Sequence, residues 1–500
     1  MKKLIPSLLL TIFAQYSFAT VWLVGSTQTY TLPSQVSTLV QDGDTIYIDG
    51  GVYANDATKW PKKNLKFIGL GTSGNRTVLQ YTGDIPNGKG IFVFETPGTC
   101  DNAYLENIVF DGAQVSNGNG GNGAGIRFQA NNLMVNNCKF MNCQNGILEG
   151  HGSVTTSNVT ILNSEFENNG YQLQNDPTYS GYEHHIYISA SADTLLVMNC
   201  YFHHPRGQAN SLKTRAQRSF ILYNLIDEEA TGYGSWELNI AQGGLNVIMG
   251  NVIIQGAAGA NHGIVGYDAA TNALEDFYFI NNTVINQYAG NIKYFNTVPA
   301  SGINTFKIYN NIFASVTGAS NTMFTGNTPV VLDSSNNLIA VNYLTLGFTN
   351  PAVNDYSLTL ASTQAIDNGT NAGTTNTAYS LTPVNMYQAF DSVLLPRSIT
   401  GGLIDIGAYE YSVATGIEEN QSRMDISVYP NPTTTEVTIN FGKASRYAVQ
   451  LCNTLGEVLA QTQINSTTLS LNISNEPKGI YFITVTDEAR NKVIRKVIKM

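Results

Sequence analysis

From Val21 onward the chain alternates apolar and polar positions in short runs, among them VWLV, TIYI, GVY and LKFIG, broken by Asp-Gly and Gly-Gly turns. A period of two predicts short strands rather than helices. Through the body, an asparagine followed closely by apolar residues recurs at Asn107, Asn137, Asn163, Asn199, Asn224, Asn251, Asn282, Asn311 and Asn337, at steps of 25 to 36 residues. Repeats of this length built from β-type runs predict stacked coils, each burying its apolar face against its neighbours. The recurring amide predicts a ladder at one coil corner, where asparagine tolerates left-handed backbone. The LxxLxL phrases and helical half-repeats of a leucine-rich repeat are missing.

The pattern changes at both ends. Lys2 and Lys3, the apolar run Leu4–Phe13 and Ser17-Phe18-Ala19 mark residues 1–19 as a signal peptide. That run is too short to span a bilayer, and no later stretch is long enough, so no transmembrane segment is expected in the mature chain. Residues 20–411 carry the repeat, and 412–424 are polar and unpatterned, which predicts a linker. From Asp425 to Met500 alternating strands return, the pattern of a small β-sandwich.

The phrase Asp42-Gly43-Asp44-Thr45-Ile46, followed by Gly51-Val52-Tyr53 and then Ile68-Gly69, resembles the opening coils of right-handed parallel β-helices of the pectate-lyase-like superfamily. Asp405-Ile406-Gly407-Ala408-Tyr409-Glu410-Tyr411 resembles the closing phrase of many secreted β-helix proteins. The fold class expected is therefore all-β: a right-handed parallel β-helix (β-solenoid) followed by a small C-terminal β-sandwich. Tyr429-Pro430-Asn431-Pro432, Leu455-Gly456, Gly479-Ile480-Tyr481 and the basic end Arg495-Lys496-Val497-Ile498-Lys499 closely resemble the C-terminal sorting domain of the type IX secretion system. That resemblance covers nearly all of 425–500. It implies the secretion machinery as a partner, passage through the periplasm and outer membrane, and release or attachment at the cell surface. A carbohydrate-binding sandwich is the rival reading, but no exposed aromatic platform is evident there.

Composition sharpens the picture in three ways. Charged residues are only 12% of the chain and glycines number 46, which suits strands and tight turns rather than surface helices. A net charge of -10 argues against nucleic acid as a general partner. Cys138 and Cys200 stand in matching phrases, NCKF and NCYF, with NSEF between them. Two strand spacings, roughly 9–10 Å, would separate the sulfurs, too far for a disulfide, so they read as small buried hydrophobes. A monomer is expected.

Between Asp193 and Asp227 there is no acidic residue, while Arg206, Lys213, Arg215 and Arg218 all fall there, next to His203 and His204. Aligning GIRFQ (125–129), GILEG, HIYIS, SLKTR, ELNIA, GIVGY and NIKYF by their second residue stacks Ile126, Ile147, Ile186, Leu212, Leu238, Ile264 and Ile292 in the core. Alternation then points the first, third and fifth positions outward. Three adjacent coils would thus place His185, Tyr187, Lys213, Arg215, Glu237 and Asn239 on one patch, with Tyr267 in the fifth column. Tyr182 and Trp236, from the flanking loops 170–183 and 227–236, could stack on sugar rings. The competing readings are a solvated polar face and simple loop packing.

β-Helix enzymes of the resembled superfamily mostly cut or modify acidic polysaccharides, so the resemblance implies an anionic polysaccharide as substrate. A lyase needs the uronate carboxylate neutralised, a base for the C5 proton and an acid for the leaving O4. Lys213 is the base candidate, because the like charge of Arg215 lowers a neighbouring lysine's pKa. Arg215 would clamp the carboxylate, Tyr187 or His185 would donate to O4, and Glu237 or Asn239 would orient the set. Arg206, Arg218, His203 and His204 join the substrate-binding candidates. The phrase SLKTRAQRSFILYN resembles the lysine-bearing coil of the chondroitinase-B and alginate-lyase group. That group carries a further catalytic arginine on the following coil, where this chain has Trp236-Glu237-Leu238-Asn239. A glycoside hydrolase or epimerase on the same scaffold and a non-catalytic glycan-binding surface are the alternatives. The hydrolase would need two facing carboxylates, and the outward columns supply only Glu237. Asp227, Glu228 and Glu229 offer oxygen ligands of the kind calcium takes, without a spaced loop motif; a solvated acidic turn is the alternative. The adjacent His184-His185 and His203-His204 pairs point to opposite strand faces and do not make a zinc site.

Overall fold

The computed structural model describes residues 19–150, 157–170, 182–261, 263–268, 272–298, 303–326, 328–388, 394–412, 426–453, 458–487 and 492–499. The leader expected over 1–19 and the linker over 412–424 lie, except for residues 19 and 412, outside the described residues. The chain forms two compact units, divided between Tyr411 and Ser412.

In the first unit three parallel sheets of 12, 11 and 10 strands are built by taking every third strand of the chain in turn, except that the first strand, Val21–Val24, pairs with the second, Thr45–Ile48. Parallel neighbours joined by crossovers of one hand make this a right-handed parallel β-helix. The four-residue helix Ser34–Ser37 lies against the first strand of the ten-stranded sheet, Thr58–Lys59. Inside, Phe110, Phe140, Phe166 and Phe202 stack face to face at centroid spacings of 5.0, 4.9 and 4.8 Å. These match the strand separation, so one ring per coil extends the core without a gap. Beside them run Ile126, Ile147, Ile186, Leu212 and Leu238, all fully buried. Each contributes about 1.5–3 kcal/mol of burial.

The aliphatic stack continues differently from the expected alignment. Leu238 pairs with Val265 and Val265 with Phe295, not with Ile264 and Ile292. One consequence is that Tyr267, expected outside, lies in the core, its hydroxyl donating to Glu275 Oε2 at 3.2 Å.

The single asparagine ladder is in fact two columns one residue apart. Asn107, Asn137, Asn163 and Asn199 have left-handed backbone (φ 50–57°), and the column continues through Tyr223, Gly250, Asn281, Asn310 and Asn336. Asn224, Asn251, Asn282, Asn311 and Asn337 occupy the next position, because Tyr201 pairs with Leu225. There each Nδ2 donates to the next residue's Oδ1, at 2.9, 2.9, 3.1 and 2.9 Å. In earlier coils this inner column is Cys138, Ser164 and Cys200. Both thiols are free and buried, and burial pushes each up to about 12.

After the last coil the chain turns back over the corner. Asn281 Nδ2 donates to the Asp405 carbonyl (2.8 Å), Gly407 N to the Asn310 carbonyl (2.7 Å) and Ala408 N to Thr283 Oγ1 (2.9 Å). No helix among the described residues is long and apolar enough to cross a membrane.

The second unit is a five-stranded antiparallel sheet. Its long strand Glu436–Asn453 pairs with Val458–Asn472 along one edge. The other edge is shared between Ser427–Tyr429 and Gly479–Asp487. A break in pairing between Asn440 and Ser445 divides it, and Val437, Ile439, Tyr447 and Leu451 from both halves join one core.

Candidate active site

The outer face of the ten-stranded sheet carries a cluster of polar groups around Tyr187. Strands His184–Ile188, Asn210–Thr214 and Trp236–Ile240 are adjacent, and Tyr187, Lys213 and Asn239 sit directly opposite one another. Lys213 Nζ lies 5.7 Å and Arg215 Cζ 5.9 Å from the centroid of the Tyr187 ring. The negative face of a tyrosine ring draws both cations to one spot. Neither forms an ion pair among the described residues, and Arg215 Nε is buried without a hydrogen-bond partner. Burial, and then the Arg215 charge, hold the Lys213 ammonium below the usual lysine range. Arg127, further along the same outward column, is likewise pushed down by burial.

Two residues expected on this face are inside. The ladder pairs His184 with Asn210 and Ile186 with Leu212, passing over His185 and Ser211. At this step two consecutive side chains turn inward and strict alternation fails. His185 is fully buried, its ring 6.4 and 6.2 Å from those of Phe166 and Phe202, with Nδ1 2.9 Å from Asn169 Nδ2. Glu237 is 2% exposed and accepts from Ser211 Oγ at 3.2 Å. Gly125 and Gly146 hold the same position two and one coils before His185. A Cβ on Gly146 would meet Phe166 and Phe140 at 3.0 and 3.1 Å, so the whole column faces the phenylalanine stack.

The same step turns His184 outward, which alternation had concealed. Its ring stacks on Tyr187, with centroids 5.7 Å apart. The Asn210 backbone N–H donates to His184 Nδ1 at 3.2 Å, so the proton of the neutral ring resides on Nε2. Burial, then the Lys213 charge, push its pKa well down, which keeps the ring neutral. The glycines at 125 and 146 were the sequence signal for this: a column tolerating no side chain there is one that meets a packed core.

The remaining candidates are dispersed. Asn239 stays beside Lys213, and Tyr182 is exposed just ahead of the His184 strand; residues 171–181 lie outside the described residues. Arg206 sits on the turn leading to Asn210, its Nη2 3.5 Å from the Gly170 carbonyl. Arg218 is on the twelve-stranded sheet, bound to both Asp193 oxygens at 2.6 Å. His203 and His204 belong to the eleven-stranded sheet and its turn. His204 contacts Asn168 Oδ1 and Thr231 Oγ1 at 3.0 Å. All three were drawn to the patch only because they are near it in sequence.

Calcium ligation by residues 227–229 does not fit the geometry, because the three carboxylates point to separate partners. Asp227 accepts from Asn354 Nδ2 (2.7 Å), Glu228 from the Gly234 and Gly256 amides (2.7 and 3.0 Å), and Glu229 faces His203 Nδ1 (3.1 Å). Glu165, Glu167 and His203 do converge within 4.8 Å of one another. Lys139 already supplies the cation there, 3.0 and 2.5 Å from the two carboxylates.

These networks carry two pH predictions. Hydrogen bonds and charge from Glu165 and Glu229 outweigh burial and raise His203 to about 9. A raised histidine contributes stability that is complete below its unfolded value of about 6.5 and lost as pH climbs through about 9. His203→Gln should therefore flatten the decline in Tm between those values, which a thermal-shift series would show. Inside the helix, burial first and the Glu228 charge second hold Glu237 well above the usual carboxylate range, and burial brings Glu228 to about 8. Both are protonated when folded and ionise on unfolding, so each costs stability as pH rises above about 4.3. Glu237→Gln should raise Tm at pH 8, with the gain vanishing at pH 4; an equal gain at both would refute the burial of an ionisable pair.

The first unit is thus a right-handed parallel β-helix whose ten-stranded sheet carries Arg127, Lys213 and Arg215 around Tyr187 on its outer side. Residues 427–500 match the family model described as a secretion system C-terminal sorting domain. The protein carries this sorting domain of type IX secretion at its C-terminal end and is secreted or attached at the cell surface. Among curated proteins no sequence match is found. Among solved structures the chain is similar to pectate lyase Pel9A, with 13% identity, a TM-score of 0.43 and coverage of 79% of this chain and 97% of that one. It is also similar to the PL6 family alginate lyase AlyGC, with 11% identity, a TM-score of 0.30 and coverage of 75% and 56%.

Proposed function

We propose that the protein is a polysaccharide lyase that cleaves a uronic-acid polysaccharide by β-elimination on the outer face of the ten-stranded sheet. The observation that carries this reading is the pair Lys213 and Arg215, held over one tyrosine ring with no acidic partner among the described residues. An anionic substrate would supply the missing counter-charge. Arg215 holds the uronate carboxylate and neutralises the charge that develops on it. Lys213, neutral in its reactive form, takes the C5 proton. The C–H electron pair becomes the C4–C5 double bond as the C4–O4 bond breaks, and O4 leaves with the proton of Tyr187 Oη, on which the neutral His184 ring is stacked. Asn239 orients the sugar beside Lys213. Glu237, the carboxylate a hydrolase would have used, is inside the helix.

The test is to offer the secreted chain alginate, pectate, chondroitin and dermatan sulfates and glucuronan, following both unsaturated uronate absorbance and new reducing ends. Both signals rising together support elimination. Reducing ends without unsaturation would replace the lyase reading by a hydrolase, and neither signal, with binding retained, by a glycan-binding surface.

A further inference from the structure

Arg127 is half-buried, and its guanidinium makes no hydrogen bond or ion pair among the described residues. The carboxylate whose charge reaches it, Glu149, is fully buried inside the helix, accepting from Ser189 N and Ser191 Oγ at 2.9 and 2.8 Å. Burial raises the Glu149 pKa, which makes it a poor counter-ion. A cation drawn partly out of water without an opposite charge is unfavourable, so an anion arriving from solvent would be held there. Arg127 belongs to the outward column Arg127, Leu148, Tyr187, Lys213, three strand spacings or roughly 14 Å from Lys213.

The other direction holds a matching cation. Lys293, on Ile292–Val298, is again three strands from Lys213 in the ten-stranded sheet. It is exposed, forms no ion pair among the described residues, and lies opposite Gly263 in the outward column next to that of Lys213. Between the two lysines a Cβ on Gly263 would overlap the Trp236 ring and one on Gly266 would meet it at 3.4 Å, so the indole lies over these glycines. The carboxylates on the outward columns among the described residues, Glu95 and Asp268, leave these cations unpaired. Glu95 is bound by Lys59 and Lys89 at 2.9 and 3.0 Å, and Asp268 acts on Glu275, whose pKa its charge helps to raise.

We propose that this face holds an internal stretch of an anionic polymer laid along the axis of the β-helix, with Arg127 and Lys293 as anion-binding stations on either side of Lys213 and Arg215. The inference rests on the reading of the face as a polysaccharide site and adds its mode of action. A chain held on both sides of the reacting bond is cut internally rather than shortened from one end. A site for chain ends is closed on one side of that bond. Here the outward column runs on in both directions among the described residues, through Leu148 to Arg127 and through Asn239 and Gly266 to Asn296.

Binding as a function of chain length tests this separately from the lyase reading. Oligogalacturonates, oligoalginates and chondroitin oligosaccharides, from dimer to decamer, would be titrated into the full secreted chain carrying Lys213→Ala, so that nothing is turned over. Affinity is expected to rise with length until both outer cations are reached, and then to level off. Arg127→Gln and Lys293→Gln should each cost roughly tenfold for the longest oligomers and leave the dimer unchanged, with Arg127→Lys restoring most of the first loss. Affinity independent of length, an equal loss at every length as a merely structural Arg127 would give, or no binding in any of the three series would overturn the stations. With Lys213 intact, early products of mixed length are expected from the polymer, and a single short product released from the outset would overturn internal cleavage. Length-dependent binding lost in Arg127→Gln, without any unsaturated product, would defeat the lyase reading and leave the stations standing.

Discussion

Lys213→Ala is expected to reduce the elimination rate by at least about a hundredfold while changing polysaccharide affinity only a few-fold. A positioned base supplies about 10²–10⁴ of rate, and Asn239, Tyr187 and His184 offer no stronger base on this face. The pH profile separates a base from a structural lysine. As the proposed base, Lys213 would act when neutral, so the rate should climb with pH through its pKa, which burial and the Arg215 charge hold below the ordinary lysine value. Removing the like charge with Arg215→Gln favours the ammonium and raises that pKa. The rising limb should then move to higher pH, together with a higher KM from the lost carboxylate contact. Lys213→Arg, which cannot lose its proton near neutrality, should bind and fail to turn over. A variant series with unmoved pH profiles would remove Lys213 from the chemistry.

The second large effect concerns stability. Arg397 and Glu410 form an ion pair whose side chains are 0% and 1% exposed, joined at 3.1 Å. The guanidinium also donates to the Gly407, Asp405 and Tyr409 carbonyls at 2.9, 3.0 and 3.3 Å. One side chain thereby ties together the segment that lies back over the coil corner through Asp405, Gly407 and Ala408. Arg397→Ala leaves the buried Glu410 carboxylate without its counter-charge and strips one donor from each of three carbonyls, of which Asp405 and Gly407 keep Asn281 Nδ2, and about 3–5 kcal/mol should be lost in urea unfolding. Arg397→Met with Glu410→Leu should recover much of this, because a matched apolar pair leaves no orphaned charge. A single variant with the wild-type midpoint would show that the segment is not anchored there.

Several features were legible in the order of residues. Alternating runs and a recurring asparagine specify stacked strands, because coils that pair only with their neighbours must repeat the same pattern of burial. Lys213, Tyr187 and Asn239 could be aligned for the same reason, as could Cys138 with Cys200. The sorting domain was readable from phrases confined to one end. Tertiary structure decided wherever one residue of register mattered. Asparagine serves both the left-handed corner and the inner amide ladder, so Asn199 and Asn224 look equivalent in sequence and are not. Alternation cannot foresee a step at which two successive side chains turn inward, so it exchanged His184 with His185 and set Glu237 outside. Nor can it see across coils: only the folded chain lays Trp236 over Gly263 and Gly266, ties Arg218 to Asp193 on another sheet, and seals Arg397 against Glu410. Local pattern determines which faces exist; the summed packing of neighbouring coils determines which side chain occupies each face.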